Sequence, residues 1–340
     1  MKAVYIKGKQ DLEIAEVPVP EPGPGQVRVA VDYVGICGSD LHYYYHGANG
    51  TFVVREPLIP GHEMSGHIDL DPEGEWQPGT PITLHPATFG PDQPGMENLR
   101  HLRPGGSYLG SASTWPHTQG AMAEYILVNR DMIRLLPEGV STRTAALVEP
   151  LAVGLHGINM IGDLTGARVL VSGSGPIGLL AAFAARQRGA GHLTCTDVLD
   201  GPLERARQVG ADEVINVANE QLPENSYDIV LECSAAPAAV SACLKAARPR
   251  GRVAQIGMFP GTPVSVELAA LSQKELTWVG TFRFDNEVDE AIEMIAAAPD
   301  VAKVITHVLR VDQALDAFSA AKDSQASGKV LVALSGGAQA

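Results

Sequence analysis

The sequence is short of cysteine, of basic residues and of long apolar runs, and each shortage excludes a class of protein. Four cysteines in 340 residues are too few for a disulfide-stapled fold. The 25 lysines and arginines are outnumbered by 39 aspartates and glutamates, and the net charge of −14 argues against binding to nucleic acid or anionic membranes. No apolar run approaches the roughly 20 residues that span a bilayer, and no signal-peptide pattern opens the chain. We therefore expect a cytoplasmic protein that acts on a small molecule, with neither nucleic acid nor membrane as a partner.

The length predicts about two domains, since an ordinary domain has roughly 100–200 residues. Alternating valines at 27, 29 and 31 indicate a half-buried strand, and the first 152 residues as a whole look β-rich. Positions 85–120 are dense in proline, glycine and histidine without periodicity, which favours a functional loop or lobe. After residue 285, the pattern predicts helices over 287–297 and 312–322 and a closing strand over 329–334.

From about residue 167, six short β-branched runs alternate with helix-forming stretches. The runs cover 168–172, 192–197, 213–216, 228–232, 252–257 and 276–282, and the stretches cover 176–188, 202–209 and 237–247. Such alternation predicts an α/β domain with a doubly wound, six-stranded parallel sheet and right-handed crossovers.

A glycine-rich motif, G-S-G-P-I-G at 173–178, follows the first of these strands and opens the next helix. An isolated match could be an ordinary turn, but here the surrounding strand–helix–strand pattern favours a dinucleotide-binding loop of Rossmann type. Asp197 lies 19 positions after Gly178, at the end of the next strand, where a carboxylate accepts hydrogen bonds from ribose hydroxyls. Because no lysine or arginine occurs in the following seven residues, the pattern favours NAD over NADP.

A second set of residues has the chemistry of a metal site. Cys37 lies in a glycine-flanked turn, His62 and Glu63 follow 25 positions later, and Glu149 is a further acidic candidate. Thiolate, imidazole and carboxylate suit Zn²⁺, and three protein ligands with one open position are typical of a catalytic site. Taken singly, the cysteine could be a small buried residue, the histidine a loop residue and Glu149 an ordinary helix or turn carboxylate.

Five motifs in this order resemble the zinc-dependent medium-chain alcohol/polyol dehydrogenases over nearly the whole chain. They are G-I-C-G-S-D-L-H-Y-Y at 35–44, P-G-H-E at 60–63, E-P-L-A-V-G at 149–154, G-S-G-P-I-G at 173–178 and G-T-F-R-F at 280–284. The resemblance implies an NAD-dependent oxidoreductase that forms a homo-oligomer, a dimer or a tetramer. It also implies a GroES-like β-rich catalytic domain of residues 1–152 and 288–340, a Rossmann domain over 153–287, and an active site in the cleft between them.

The resemblance also assigns roles by position. Cys37, His62 and Glu63 would ligate zinc, and Glu149 would either ligate it or hold the zinc-bound water. Ser39 and His42 would carry the substrate proton to solvent. Tyr43, Glu149 and Arg283 would contact substrate. The positions that would contact the cofactor are Gly173, Gly175, Pro176, Ile177, Gly178, Asp197, Ile256, Gly257, Met258, Thr281, Phe282 and Arg283.

One departure from the family pattern concerns the lobe. Many relatives hold a structural zinc there through four cysteines, whereas positions 85–120 contain none, and the spacings of His85, His101 and His117 fit no common zinc motif. We therefore expect one catalytic zinc per chain and no structural zinc.

The expected reaction is oxidation of a secondary hydroxyl on a five- or six-carbon polyol or sugar acid, with L-idonate first and D-sorbitol second. Arg283 favours the acid because a guanidinium can meet a carboxylate in a bidentate geometry. The alternatives are an enzyme of the same fold acting on galactitol, threonine or a simple alcohol and, outside enzymes, an NAD-binding sensor that has lost its metal.

Overall fold

The computed structural model describes residues 1–334. The strands of the first half are β1 (Lys2–Gly8), β2 (Asp11–Glu16), β3 (Gln26–Gly35), β4 (Ala48–Asn49), β5 (Phe52–Val53), β6 (Glu63–Leu70), β7 (Pro81–Leu84), β8 (Ala87–Thr88), β9 (Ser107–Tyr108), β10 (Tyr125–Asn129) and β11 (Ile133–Leu135). The helices there are α1 (Gly38–His46), α2 (Thr142–Ala145) and α3 (Val148–Ile161), with 3₁₀ turns at Arg100–Leu102 and Arg130–Met132.

The second half alternates strands and helices. Its strands are β12 (Arg168–Ser172), β13 (His192–Asp197), β14 (Glu213–Asn216), β15 (Tyr227–Glu232), β16 (Ala247–Gln255), β17 (Thr277–Gly280), β18 (Ile305–Arg310) and β19 (Lys329–Ala333). Its helices are α4 (Pro176–Gln187), α5 (Asp200–Gln208), α6 (Pro237–Ala246), α7 (Ala269–Gln273), α8 (Glu287–Ala297) and α9 (Ala314–Lys322), with 3₁₀ turns at Pro299–Val304 and Val311–Gln313.

The first half builds a seven-stranded sheet of order β11-β7-β6-β3-β19-β18, with β10 paired to β3. Its inward side chains, including Val27, Val29 and Val31, are fully buried, as their alternation predicted. The strand β19 from the end of the described chain runs antiparallel to β3 and places Leu331 opposite Gly35. A sheet built mainly from strands of the first half is therefore completed by the last strand of the described residues.

The predicted parallel sheet is confirmed. Its order is β14-β13-β12-β15-β16-β17, which is the 3-2-1-4-5-6 arrangement of a Rossmann fold, and all five pairings are parallel. The last strand is shorter than predicted: it ends at Gly280, and the chain departs from extended backbone at Arg283, whose φ of 52° is left-handed. Residues 281–286 thus form a separate loop at the carboxyl edge of the sheet.

Helix α8 has the predicted bounds, and its apolar face packs on the core of the half that carries the parallel sheet. Val288, Ile292 and Ile295 are buried in one cluster with residues of α3, α4 and β12. The division into 1–152 plus 288–340 and 153–287 stays a prediction, and positions 335–340 of it lie outside the described residues. No helix over residues 1–334 combines the length and the apolar character needed to span a bilayer.

Candidate active site

The turn that carries Cys37 and the loop that carries His62 are joined by one buried carboxylate. Asp40, in the first turn of α1, accepts hydrogen bonds from the N–H of Cys37 at 2.9 Å and from the N–H of Gly61 at 3.1 Å. Burial raises the pKa of Asp40, against the opposing effects of His62 and these hydrogen bonds. Sequence reasoning missed this residue, although a C-x-x-D spacing before a helix is the pattern of a capping carboxylate.

The structure brings three of the four predicted metal ligands together. One donor atom each of Cys37, His62 and Glu63 lies within 4.8 Å of the other two. His62 and Glu63 are buried, and Nδ1 of His62 has no hydrogen-bond partner. Burial alone would lower the pKa of His62, but the negative charges of Cys37, Glu149 and Asp40 outweigh it and raise the value to about 10. The negative charge in this pocket favours the protonated imidazole, and for the same reason it would favour a bound cation. The sulfur, nitrogen and oxygen donors of the pocket fit Zn²⁺.

Glu63 also has a buried cationic partner. Both of its carboxylate oxygens lie 2.6 Å from Nζ of Lys329, which also donates to the carbonyl of Ile36 at 3.2 Å. Burial lowers the pKa of this lysine, but the negative charges of Glu63 and Cys37 reverse the effect and raise it. Gly35 makes room for the pair, since a Cβ at that position would lie 2.1 Å from Oε2 of Glu63. The sequence analysis did not identify Lys329.

Glu149 lies beside this group, in the first turn of α3, and is fixed by a tyrosine. The hydroxyl of Tyr108 donates to Oε1 of Glu149 at 2.6 Å, and both side chains are buried. Burial, followed by the Glu149 charge, raises the pKa of Tyr108 well above its usual value, so the hydroxyl keeps its proton. The Tyr108 ring meets the His62 ring at 5.4 Å on one side, and the Arg283 guanidinium stacks on it at 4.0 Å. Tyr108 was also missed, because a tyrosine in a glycine-rich loop carries no periodic signal.

The remaining residues of the predicted catalytic set lie on α1. Ser39 and His42 are three positions apart and so share one helix face. Partial burial, with a smaller contribution from His46, lowers the pKa of His42. The hydroxyl of Tyr43 is buried and accepts a hydrogen bond from the N–H of Ala112 at 3.1 Å. The proton-relay role of the first two and the substrate role of Tyr43 stay predictions.

The glycine-rich turn lies at the carboxyl end of β12, where the sheet order reverses. Gly178 allows the helix to pack closely, since a Cβ there would lie 1.8 Å from the carbonyl oxygen of Gly173. A Cβ on Gly175 would meet nothing within 4 Å, so the turn is open on that side. Pro176 and Ile177 form the first turn of α4, whose N-terminus supplies free N–H groups for a pyrophosphate.

Asp197 ends β13 and faces the same turn. Its Oδ2 accepts from the N–H of Ser174 at 2.9 Å, and its Oδ1 accepts from the N–H groups of Val198 and Leu199 at 2.8 and 3.1 Å. These bonds fix the carboxylate at the position predicted for ribose recognition.

The residues predicted to flank the nicotinamide follow β16 and β17. Ile256 is buried, Met258 is exposed, and Phe282 is 38% exposed with the Arg283 guanidinium 4.8 Å from its ring. Gly257 fits closely, since a Cβ there would lie 2.6 Å from the nitrogen of Ala235. These residues and Thr281 lie at the carboxyl edge of the sheet, and their contacts with a cofactor stay predictions.

The three histidines of the lobe do not converge. The Nε2–H of His85 donates to the carbonyl of Asp285 at 2.8 Å, and the ring of His101 packs on His156 at 4.9 Å. His117 instead accepts from the N–H of Arg55 at 2.9 Å. They therefore do not form a common binding site.

A Rossmann sheet with an open glycine-rich turn, joined to a β-rich half with a Cys–His–Glu donor set whose histidine and glutamate are buried, defines a metal- and nucleotide-dependent oxidoreductase. Residues 23–138 match the family model of the alcohol dehydrogenase GroES-like domain, and residues 176–297 match that of the zinc-binding dehydrogenases. The chain belongs to the zinc-dependent medium-chain alcohol/polyol dehydrogenases, which confirms the resemblance, and it is an oxidoreductase that acts on alcohols.

Two relatives and one solved structure illustrate the likeness. The chain is 31% identical to sorbitol dehydrogenase of Bos taurus over 334 residues, covering 94% of this chain and 92% of that protein. It is 31% identical to L-idonate 5-dehydrogenase (NAD(P)(+)) of Escherichia coli over 301 residues, covering 87% of each chain. The crystal structure of L-idonate 5-dehydrogenase from Escherichia coli superposes with a TM-score of 0.92 at 28% identity and covers 98% of both chains.

Proposed function

We propose that this enzyme oxidises a secondary hydroxyl of a five- or six-carbon polyol or sugar acid to the ketone, with L-idonate as the first candidate and D-sorbitol as the second. The names of the two relatives above favour this substrate class. The observation that carries the choice of an acid is Arg283. Its guanidinium stacks on Tyr108 beside Glu149, and within residues 1–334 no carboxylate pairs with it. An unpaired guanidinium next to the reaction centre suits a substrate carboxylate.

Cys37, His62 and Glu63 would hold one zinc per chain, with Glu149 as ligand or as holder of a water. Zinc, when bound, polarises an alcohol oxygen and lowers its pKa. Because the hydroxyl of Tyr108 occupies Oε1 of Glu149, Oε2 is the oxygen left for a water or a substrate hydroxyl.

Ser39 would accept the substrate proton and His42, which is exposed one helical turn further, would pass it to solvent. The lowered pKa of His42 keeps its imidazole neutral near pH 7 and so able to accept a proton.

We infer that NAD is the preferred cofactor, which supplies the hydride acceptor when bound. Gly175, with its open side, and the N-terminus of α4 would hold the pyrophosphate, and Asp197 the adenosine ribose. The first basic residue after Asp197 is Arg205, and its guanidinium donates to the carbonyls of Ser324 and Gln325 at 2.7 and 3.1 Å. That arginine is therefore engaged elsewhere and does not offer a site for a 2′-phosphate.

The family resemblance further suggests a cytoplasmic homo-oligomer, a dimer or a tetramer, with the division 1–152 plus 288–340 and 153–287. Light scattering of the purified enzyme measures the subunit number, and a monomer would contradict that part of the proposal.

The decisive experiment is a substrate panel of L-idonate, D-sorbitol, galactitol, L-threonine and ethanol with NAD, followed through NADH formation, together with elemental analysis. We expect the highest kcat/KM with L-idonate and about one zinc per chain. Arg283→Ala should lower kcat/KM for the acid about 10- to 150-fold, because a charged hydrogen bond contributes about 1.5–3 kcal/mol, and should lower that for sorbitol much less.

Several outcomes would contradict the proposal. If ethanol is the best substrate, the proposed class of polyol or sugar-acid substrates is wrong. If Arg283→Ala lowers kcat/KM equally for the acid and the polyol, the proposed preference for the acid is wrong. Two tightly held zinc ions per chain would contradict the single site. NAD binding without zinc and without turnover of any alcohol would favour a sensor.

A further inference from the structure

Arg100 fastens the loop after β17, residues 281–286, to the lobe through Asp285 and Asn286, beside a longer contact of Asp285 with Nδ1 of His101 at 3.9 Å. Nε and Nη2 of Arg100 lie 2.7 and 2.6 Å from Oδ1 of Asp285, and Nη2 also donates to Oδ1 of Asn286 at 2.5 Å. The backbone N–H of Arg100 points to the other oxygen of Asp285, at 3.3 Å. The side chain of Asp285 is only 10% exposed. This contact joins positions that are 185 residues apart in the sequence.

The backbone of Asp285 is held as firmly as its side chain. Its carbonyl accepts from Nε2 of His85, a second lobe residue, at 2.8 Å. Its N–H donates to Oε2 of Glu287 at 2.9 Å. The neighbouring Phe284 is 1% exposed and packs on the His85 ring at 5.1 Å. The lobe and the first turn of α8 thus hold the end of this loop, at Phe284 and Asp285.

Arg283 lies two residues before Asp285 and needs such support. Its backbone has φ = 52°, a left-handed conformation that an arginine adopts only at an energetic cost. In this conformation its guanidinium reaches the ring of Tyr108, which in turn donates to Glu149. A loop released from the lobe could relax toward negative φ, which would withdraw the guanidinium from this ring.

The lobe and this loop line a half-open cavity of about 230 Å³, whose lining includes Arg100, Arg103, Arg283 and Ser107. Arg103 shares the cavity but not the bridging role, because its guanidinium bonds to Asp92, Met96 and Glu97 within the lobe. The two lobe arginines therefore differ in one respect that matters here. Of these two arginines, Arg100 bonds to the loop that carries Arg283, whereas Arg103 bonds within the lobe.

We propose that Arg100 is a positioning residue for substrate selection: through Asp285 it fixes the loop that presents Arg283, and it thereby sets the preference for a substrate with a carboxylate. The inference rests on the proposed function for the identity of the charged group. Arg100 is thus a positioning residue and not a catalytic one, because its effect on the substrate passes through Arg283.

The test is a double-mutant cycle of Arg100→Ala and Arg283→Ala, with kcat and KM measured for L-idonate and D-sorbitol. We expect Arg100→Ala to raise KM for the acid about tenfold, equivalent to ~1.4 kcal/mol, and to change KM for sorbitol less than twofold. In the Arg283→Ala background the same substitution should no longer alter the acid-to-polyol ratio. Zinc content should equal that of the wild type.

Three further variants separate positioning from general structural damage. Arg103→Ala, the matched control from the same lobe and cavity, should leave the acid-to-polyol ratio unchanged. Arg100→Lys should recover part of the ratio, because an ammonium can still pair with Asp285. Asp285→Asn keeps the side-chain shape and removes the charge, so it should reproduce the effect of Arg100→Ala even if that variant folds poorly.

An unchanged ratio in both Arg100→Ala and Asp285→Asn would overturn the inference, as would an equal effect of Arg100→Ala with and without Arg283. If the wild type prefers the neutral polyol, the proposed acid specificity fails by itself. The cycle is then read on KM for that polyol, where additive effects of the two substitutions would refute the positioning role.

Discussion

Replacing Lys329 with methionine should destabilise the enzyme far more than the same replacement of a more exposed lysine in an equally short ion pair. The ammonium of Lys329 lies 2.6 Å from both oxygens of Glu63, and the two side chains are 2% and 0% exposed. Methionine fills a similar volume but leaves a carboxylate buried without a counterion. Breaking a buried pair in this way costs about 3–5 kcal/mol, a large fraction of a usual stability of ~5–15 kcal/mol.

The chain offers a matched control in Lys2. Its ammonium also lies 2.6 Å from a carboxylate, that of Asp312, but these side chains are 34% and 49% exposed. Solvent screens such a pair, so Lys2→Met should lower the free energy of unfolding far less than Lys329→Met does. The double variant Glu63→Gln, Lys329→Met should regain most of the loss, because it removes both buried charges.

The assay is urea unfolding of the zinc-free and zinc-loaded proteins, followed by circular dichroism. A cation beside Glu63 replaces part of the missing positive charge, so zinc should stabilise Lys329→Met more than the wild type. If zinc-free Lys329→Met loses less than about 1 kcal/mol of unfolding free energy, and no more than the Lys2→Met control, the reasoning about burial is refuted.

Three other predictions concern the cofactor, the carboxylate beside the metal site, and pH. Wild-type kcat/KM should be at least 30-fold higher with NAD than with NADP, since ~2 kcal/mol of repulsion between Asp197 and a 2′-phosphate corresponds to that ratio, and Asp197→Ala should lower the NAD-to-NADP ratio. Comparable kcat/KM values for the two cofactors in the wild type would contradict the role of Asp197. Tyr108→Phe removes the hydrogen bond to Glu149 and should lower kcat about 10- to 100-fold at unchanged zinc content, whereas loss of zinc would show that the tyrosine maintains the metal site instead. Burial would raise the pKa of Glu287, but hydrogen bonds, first among them that from His156 at 2.9 Å, hold it at about 2. Because this pKa is depressed, the ionised carboxylate of Glu287 stabilises the fold fully above the unfolded pKa of ~4.3, and this contribution disappears as the pH falls toward 2. Glu287→Gln should therefore lower the free energy of unfolding by up to about 3 kcal/mol at pH 7 and by progressively less below pH 4.5, as measured by urea titrations. A loss of stability that does not change with pH would contradict this prediction.

The parts of the site that could be predicted are those encoded by neighbouring residues. The glycine-rich turn and Asp197 lie on one strand–helix–strand unit, so their spacing carries the information, whereas the Cys37 and His62 motifs indicated a metal site only through the family resemblance. The parallel sheet was predictable for a related reason, since buried parallel strands are continuous apolar runs.

The missed residues depend on contacts between distant segments. Lys329 pairs with a glutamate 266 positions away and lies in a run that simply looks like a strand. Tyr108 and Arg100 lie in a lobe without periodicity, and their partners come from α3 and from the loop after β17. Strand β18 was missed because its sequence, I-T-H-V-L-R, has no regular alternation of apolar and polar residues, and it lies at the end of the sheet, next to β19 alone.

The pairing of β19 with β3 has a consequence for biosynthesis. At roughly 5–20 residues per second, the 266 positions between Glu63 and Lys329 take a ribosome about 13–53 s to add. During that interval β3 lacks its C-terminal neighbour, and the carboxylate of Glu63 lacks its ammonium partner. The β-rich half of this enzyme can therefore close only after residue 329 has left the ribosome, and a nascent chain that stops before that residue exposes a β-edge open to aggregation or to capture by a chaperone.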